Sequence, residues 1–154
     1  MGQAVGVPDD VFAVPRLAAV YDLLDSDRRD LDAYAAMVEE FADRSVVDLG
    51  CGTGTLACLL ARRGVEVTGV DLAEASLRFA SRKPGAAAVR WVCGDAACLR
   101  GGRADLVTMT ANVAQVFLGD DQWRATLAAL EGALRPGGRL VFETRDPAAR
   151  AWED

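Results

Sequence analysis

The segment that decides the fold of this 154-residue chain is Val46-Val47-Asp48-Leu49-Gly50-Cys51-Gly52-Thr53-Gly54. Its first part is a short β-branched run from Ser45 to Leu49, which predicts a buried strand. Gly50, Gly52 and Gly54 then predict a tight turn with no side chain between the backbone and a ligand. Apolar residues at helical spacing follow as far as Gly64. The segment is therefore a strand, a glycine loop and a helix, whose free N–H groups favour an anionic group.

Strands and helices alternate outward from this segment. Two helices are predicted between Pro15 and Phe41, with a break at Asp25-Ser26-Asp27. After the glycine loop the predicted elements are the strand Val65 to Val70, the helix Ala73 to Ser81, the strand Ala87 to Cys93, the strand Ala104 to Thr110, the helix Asp120 to Leu134 and the strand Arg139 to Thr144. This order predicts an α/β fold: a doubly wound, mostly parallel five-stranded sheet with helices on both faces, preceded by two helices. The length fits one domain over residues 1–154.

A carboxylate stands at the end of each of the first three predicted strands. These residues are Asp48, Asp71 and Asp95. In an open α/β sheet a ligand binds beyond the carboxyl ends of the strands, so the three side chains should line one rim. Any one of them could instead be a turn or helix cap. Asp71 lies 17 residues beyond Gly54, close to the spacing of about 20 that places an acid on a ribose diol.

The loop is compatible with two different nucleotide-containing ligands. The run Gly52 to Ala57 also fits the dinucleotide fingerprint, so an NAD-dependent oxidoreductase is one interpretation. A pyrophosphate would meet Asp48 as a like charge, whereas a ligand carrying an ammonium and a sulfonium would be attracted by it. The chain contains no His and has no room for a second domain, which also disfavours the dehydrogenase. The acidic surroundings favour a cationic nucleoside.

The quoted segment resembles the first motif of class I S-adenosylmethionine-dependent methyltransferases, which have a Rossmann-like core. Other stretches are similar to further motifs of that family: Gly69-Val70-Asp71-Leu72, Gly94-Asp95-Ala96, Thr110-Ala111-Asn112-Val113 and Leu134-Arg135-Pro136-Gly137-Gly138-Arg139-Leu140. The resemblance extends from about residue 17 to residue 146. It implies S-adenosylmethionine as the cofactor.

The resemblance also implies which residues bind that cofactor. Asp48 and the glycine backbone would hold the amino-acid part, and Asp71 would bind the ribose hydroxyls with Leu72 beside the adenine. Asp95 would meet the adenine edge, and Tyr21 would help to cover the cofactor. The full set implied is Tyr21, Asp48, Gly50, Cys51, Gly52, Gly54, Asp71, Leu72, Asp95, Ala96 and Asn112.

The expected activity is methyl transfer to a small-molecule acceptor by in-line displacement. A thioether leaves a sulfonium without help from an acid, so alignment and desolvation suffice and no catalytic residue is assigned. The polar residues expected to face the acceptor are Tyr21, Asp22, Asn112, Glu143 and Arg145. For Glu143 and Arg145 a surface ion pair is an equal interpretation. The family's sheet normally continues past the fifth strand, so we expect a C-terminally short domain and keep a non-catalytic cofactor-binding module as an alternative.

The amino-acid composition limits which classes of binding partner are expected. The 17 Lys and Arg residues against 23 Asp and Glu give a net charge of −6, which disfavours nucleic acid. The pairs Arg62-Arg63 and Arg82-Lys83 are interpreted as solvated helix ends. The open edge of the last strand, Leu140-Val141-Phe142, suggests pairing between copies in a homo-oligomer, or cover by the N-terminal segment.

The remaining features concern metal binding and location. The four cysteines, Cys51, Cys58, Cys93 and Cys98, contain no C-x-x-C pair and are interpreted as small buried side chains, so no metal site is expected. The N-terminus lacks a secretory pattern and no run reaches about 20 apolar residues, so we expect a cytoplasmic protein with no membrane span.

Overall fold

A five-stranded parallel sheet forms the centre of the protein. The computed structural model describes residues 8–24, 27–41, 44–99, 101 and 103–149. The strands are β1 Ser45–Leu49, β2 Glu66–Asp71, β3 Val89–Cys93, β4 Ala104–Met109 and β5 Leu134–Phe142. Their order is β3-β2-β1-β4-β5, and every neighbouring pair is parallel. Within these residues the α-helices are α1 Asp10–Ala13, α2 Pro15–Leu24, α3 Asp30–Glu40, α4 Thr55–Arg62, α5 Glu74–Ala80 and α6 Asp120–Ala133.

Apolar side chains cover both faces of this sheet. Side chains along a strand alternate between faces, so Val46 and Val47 of β1 enter different clusters. On one face, Val46 packs with residues of α3 and α4. On the other, Val47 lies in a cluster that includes Leu130 of α6. Strands buried on both faces read as continuous apolar runs, and this confirms the predicted doubly wound α/β fold.

The strand order reverses at β1. This strand pairs with β2 on one side and β4 on the other, so Asp48 is in register with both Gly69 and Thr108. The chain leaves the carboxyl end of β1 through the glycine loop and enters α4. A reversal of this kind opens a crevice at the carboxyl ends of the strands, which is where open α/β sheets bind ligands.

Several boundaries differ from the sequence prediction. In the described part of the chain three helices, not two, precede β1, because α1 forms a short turn before Pro15. Residues Ala86–Ala88 form a 3-10 turn instead of the start of β3. The strand β5 starts at Leu134, which pairs with Ala104 across a register irregularity, so the Pro-Gly-Gly turn lies inside the strand. Of the predicted break Asp25-Ser26-Asp27, residues 25–26 lie outside the described residues and Asp27 lies between α2 and α3. Glu143 and Thr144 lie beyond the end of β5.

The interpretation of the cysteines is only partly correct. Cys51 and Cys58 are buried, as expected, but Cys93 and Cys98 are exposed. These two residues lie on β3 and on the 3-10 turn after it, at the border of the sheet where less structure covers them. None of the helices in the described part of the chain is long and apolar enough to cross a membrane.

Candidate functional site

The glycine loop has one closely packed side and one open side. Gly50, Gly52 and Gly54 all have positive φ angles, of 71°, 52° and 74°. A Cβ on Gly50 would lie 2.4 Å from Cγ2 of Val113, and a Cβ on Gly54 would lie 2.5 Å from the Trp91 ring. A Cβ on Gly52, by contrast, would meet nothing within 4 Å. The loop therefore rests on the protein through Gly50 and Gly54 and presents the backbone at Gly52 to open space.

Cys51 lies inside this loop and faces the sheet. Its side chain is buried, and its Sγ is the atom that a Cβ on Gly69 would approach to 3.2 Å. Burial raises the pKa of the Cys51 thiol well above its usual value, with the nearby charges of Asp48 and Asp71 adding to the effect. A thiol kept protonated in this way acts as a small packing residue and not as a nucleophile.

Asp71 connects the end of β2 to the glycine loop. Its Oδ2 accepts a hydrogen bond of 2.7 Å from the Gly52 N–H, and its Oδ1 accepts one of 2.7 Å from the Ala73 N–H. Partial burial raises the pKa of Asp71, and these backbone bonds oppose the increase. The side chain is not fully buried, and each carboxylate oxygen can accept a further bond. Asp71 thus holds the loop and still offers acceptor sites to a ligand.

Asp48 is a buried acid behind the same loop. Its side chain is 1% exposed, and its Oδ1 accepts a 2.9 Å hydrogen bond from the Thr108 hydroxyl. Burial raises the pKa of Asp48 to about 7; the Thr108 bond and the charge of Arg28 oppose this shift, and the charge of Asp71 adds to it. The structure therefore places Asp48 where its charge acts on the site from beneath the surface.

The third aspartate and the adjoining residues lie at the end of β3. Asp95 accepts a 2.9 Å hydrogen bond from the Ala97 N–H and so caps the 3-10 turn Ala96–Cys98. Ala96 is buried and Leu72 is half-buried. The three aspartates lie at or just after the carboxyl ends of neighbouring parallel strands, on one edge of the sheet. Of the three, Asp71 is the one that accepts a hydrogen bond from the glycine loop.

A polar cleft of about 570 Å³ opens beyond the ends of β4 and β5. Its walls are Tyr21, Asp27, Arg28, Asp30, Ala111, Asn112, Glu143, Thr144 and Arg145. Four of the five residues expected to face the acceptor therefore line it. The fifth, Asp22, instead forms an ion pair with Lys83.

The walls of this cleft are held by hydrogen bonds between distant parts of the chain. The buried Tyr34 donates a 2.8 Å hydrogen bond to Oε2 of Glu143, and burial followed by this bond raises the pKa of Tyr34. Arg145 donates a 2.8 Å hydrogen bond to Oδ1 of Asn112. Glu143 and Arg145 thus bind different partners, so their interpretation as a surface ion pair is wrong.

The backbone is strained shortly after the end of β4, at two residues that line the cleft. Ala111 and Asn112 have φ angles of 52° and 70°, in the left-handed region. Asn adopts this region readily, but a residue with an ordinary Cβ does so at a cost of about 1–2 kcal/mol. Strain of this kind is commonly kept where a backbone must be aimed at a ligand.

A family model described as a methyltransferase domain matches residues 46–138, which include the glycine loop, Asp71 and Asn112. This chain belongs to the class I S-adenosylmethionine-dependent methyltransferases. The ubiquinone biosynthesis O-methyltransferase of Idiomarina loihiensis is 33% identical over 117 residues, which are 71% of this chain and 45% of that protein. The chain spans about half the length of the curated relatives it matches.

Solved methyltransferase structures share the fold. The CcbJ methyltransferase of Streptomyces caelestis has a TM-score of 0.79 and 30% identity, covering 94% of this chain and 61% of that one. An S-adenosylmethionine-dependent methyltransferase of Clostridium acetobutylicum has a TM-score of 0.66 and 25% identity, covering 82% and 55%. The similarity therefore extends over most of this chain.

Sequence reasoning missed several residues of the candidate site. Lys83, interpreted as a solvated helix end, has a side chain only 22% exposed and contacts Asp22 and Thr53. Tyr34 and Thr108 were also not recognised as partners of the site's carboxylates. No local sequence pattern indicates the roles of these residues, because each side chain bonds to a partner 30 or more positions away in the chain.

Proposed function

We propose that this methyltransferase binds S-adenosylmethionine across its glycine loop and transfers the methyl group to a small-molecule acceptor held in the cleft. The observation that carries the proposal is the open side of Gly52 next to Asp71. There a ligand can approach the backbone closely and meet a carboxylate with free acceptor capacity. That combination suits a nucleoside whose ribose hydroxyls need an acceptor.

The other residues of the site fit the same cofactor. The exposed backbone at Gly52 would bind its amino-acid part, and Leu72 and Asp95 lie toward β3, on the adenine side of Asp71. In its ionised form Asp48 places negative charge beneath the loop, which favours a cationic ligand. The contribution of Asp48 is thus electrostatic, since its side chain is too deeply buried for direct contact.

The cleft is suited to hold the methyl acceptor. Its volume of about 570 Å³ is within the range of small-molecule sites. Charged side chains of both signs line it, among them Arg28, Glu143 and Arg145, so a polar acceptor fits better than an apolar one. The activity in the name of the Idiomarina relative, O-methylation in ubiquinone biosynthesis, also favours a small acceptor.

The bound cofactor supplies an activated methyl group on a sulfonium. The residues of this chain would then orient the acceptor and exclude water, as in-line displacement requires. Tyr34 holds the Glu143 carboxylate at the cleft wall, where it can accept the proton that an acceptor hydroxyl or amine loses. We propose Glu143 for that role because it combines a place in the cleft with a fixed orientation.

The binding part of the proposal is tested by calorimetric titration with S-adenosylmethionine and its demethylated product, S-adenosylhomocysteine. The wild-type protein should bind both. The variant Gly52→Ala adds a methyl group on the open side of the loop and should bind neither. Its matched control is Gly64→Ala, since Gly64 also has a positive φ, of 83°, and open space around it, but lies after α4. Equal binding by the wild type and Gly52→Ala would refute the proposed location.

Two further substitutions distinguish binding of S-adenosylmethionine from binding of NAD. Asp71→Ala should weaken any nucleoside, whether S-adenosylmethionine or NAD, whereas Asp48→Asn should weaken only a cationic ligand. Binding of NAD that is unchanged by Asp48→Asn, without binding of S-adenosylmethionine, would favour the oxidoreductase. Binding of S-adenosylmethionine without methyl release in a broad acceptor screen would favour a binding module.

A further inference from the structure

The helices α1 and α2 pack against the rest of the protein with little apolar burial. Among their described residues only Ala18 is fully buried, while Leu23 and Leu24 are 77% and 79% exposed. Polar contacts instead attach them to the rest of the protein: the Ser76 hydroxyl of α5 donates a 2.9 Å hydrogen bond to the carbonyl of Phe12. Elements with few buried apolar contacts open at low free energy, so polar contacts decide where such helices rest.

A group of four polar side chains joins α2 to the glycine loop; we call Asp22, Thr53, Thr55 and Lys83 the helix latch. Asp22 Oδ1 accepts a 2.5 Å hydrogen bond from the Thr53 hydroxyl, and Asp22 Oδ2 lies 2.5 Å from Lys83 Nζ. Lys83 also donates to the hydroxyls of Thr53 and Thr55, at 3.2 and 2.9 Å. The latch thus connects α2, the glycine loop, the start of α4 and the segment after α5.

The latch adjoins both halves of the site. Thr53 is 3% exposed and stands between Gly52, which faces the open side of the loop, and Gly54, which packs on Trp91. On α2, Asp22 follows Tyr21, whose side chain lines the cleft and whose ring lies 5.0 Å from that of Phe12. The bond between Asp22 and Thr53 therefore connects the part of α2 that carries Tyr21 to the loop.

We infer that Asp22 and Lys83 are positioning residues, which hold α2 against the glycine loop and so strengthen cofactor binding and place Tyr21 at the cleft. This inference rests on the proposed function. Binding and latch closure are reciprocal: a ligand that orders the loop favours the closed latch, and a broken latch weakens the ligand. Half-exposed ion pairs contribute modestly, so loss of the latch should weaken binding by about fivefold.

The first measurement is amide hydrogen exchange of the free protein. Asp22→Asn and Lys83→Met should each speed exchange in α2 while β1 stays protected. The matched control is Glu39→Gln, which breaks the 2.7 Å ion pair between Glu39 and Arg63, two exposed residues outside the latch, and should leave α2 unchanged. Unchanged exchange in α2 of both latch variants would overturn the inference, whatever the protein binds.

The second measurement is the affinity for S-adenosylhomocysteine, by calorimetric titration. Each latch variant should bind about fivefold more weakly than the wild type, and the charge-exchanged double variant Asp22→Lys with Lys83→Asp should recover part of the loss. Binding by Asp22→Asn and Lys83→Met equal to that of Glu39→Gln would overturn the coupling to the cofactor. If the wild type itself does not bind, the proposed function fails, and the exchange data alone decide whether the latch holds α2.

Discussion

Replacing the buried acid Asp48 by Asn should stabilise the fold at neutral pH. The ordinary pKa of this carboxyl is 3.8, and burial raises it to about 7. In the unfolded chain the group therefore ionises near pH 3.8, and in the folded protein near pH 7. At about 1.36 kcal/mol for each pKa unit, ionised Asp48 destabilises the folded state by about 4 kcal/mol.

The sign of the pH dependence follows from proton binding. Below the unfolded pKa both states are protonated and the cost is absent. As the pH rises toward the folded pKa, the folded state keeps a proton that the unfolded state has lost, so stability falls, and above about pH 7 the penalty is constant. Asn keeps the acceptor for the Thr108 hydroxyl but buries an NH₂ group, which costs about 1–3 kcal/mol if it finds no partner.

The assay is urea denaturation of the wild type and Asp48→Asn between about pH 4.5 and pH 8. The variant's advantage in unfolding free energy should grow by about 3 kcal/mol over this range, since about 1 of the about 4 kcal/mol has already accrued at the acidic end. The amide cost shifts all values equally, and Asp71 is common to both proteins. A difference that stays constant with pH, or that changes in the wild type's favour as pH rises, would refute the reasoning.

The remaining predictions concern single contacts. Gly50→Ala should destabilise the protein by about 2–4 kcal/mol in urea denaturation, because it combines a φ of 71° with a clash against Val113. The further change Val113→Ala should recover part of this loss of stability. If it recovers none, the whole cost lies in the backbone conformation. Tyr34→Phe removes the bond to Glu143 and should cost about 1 kcal/mol in thermal or urea melts, while a neutral result would mean that the bond is absent in solution. If β5 pairs with another copy, the Val141 amide should be protected from exchange in an oligomer seen by size exclusion; a monomer with fast exchange there contradicts the pairing.

The sheet and the glycine loop could be predicted from the sequence because their signals are local. Strands buried on both faces appear as short apolar runs, and glycine at positions 50, 52 and 54 permits the positive φ angles that the tight loop adopts. The boundary of β5 could not be predicted in this way. The composition of the Pro-Gly-Gly turn predicts the end of a helix. In the structure, however, Leu134 pairs with Ala104 of β4, so the turn lies within the strand β5.

The sequence by itself determined the order along the chain of the five strands and of the helices α2 to α6, and that three aspartates stand at strand ends, because periodicity and turn residues act over a few positions. Tertiary structure alone decided what those aspartates and their neighbours do. Burial makes Asp48 a weak acid partnered by Thr108, 60 positions away, and folding brings Tyr34 to Glu143 across 109 positions. It also turns Lys83 from an apparent surface cation into the partner of Asp22. Such properties depend on the surrounding dielectric and on the positions of distant charges, which exist only once the chain has folded.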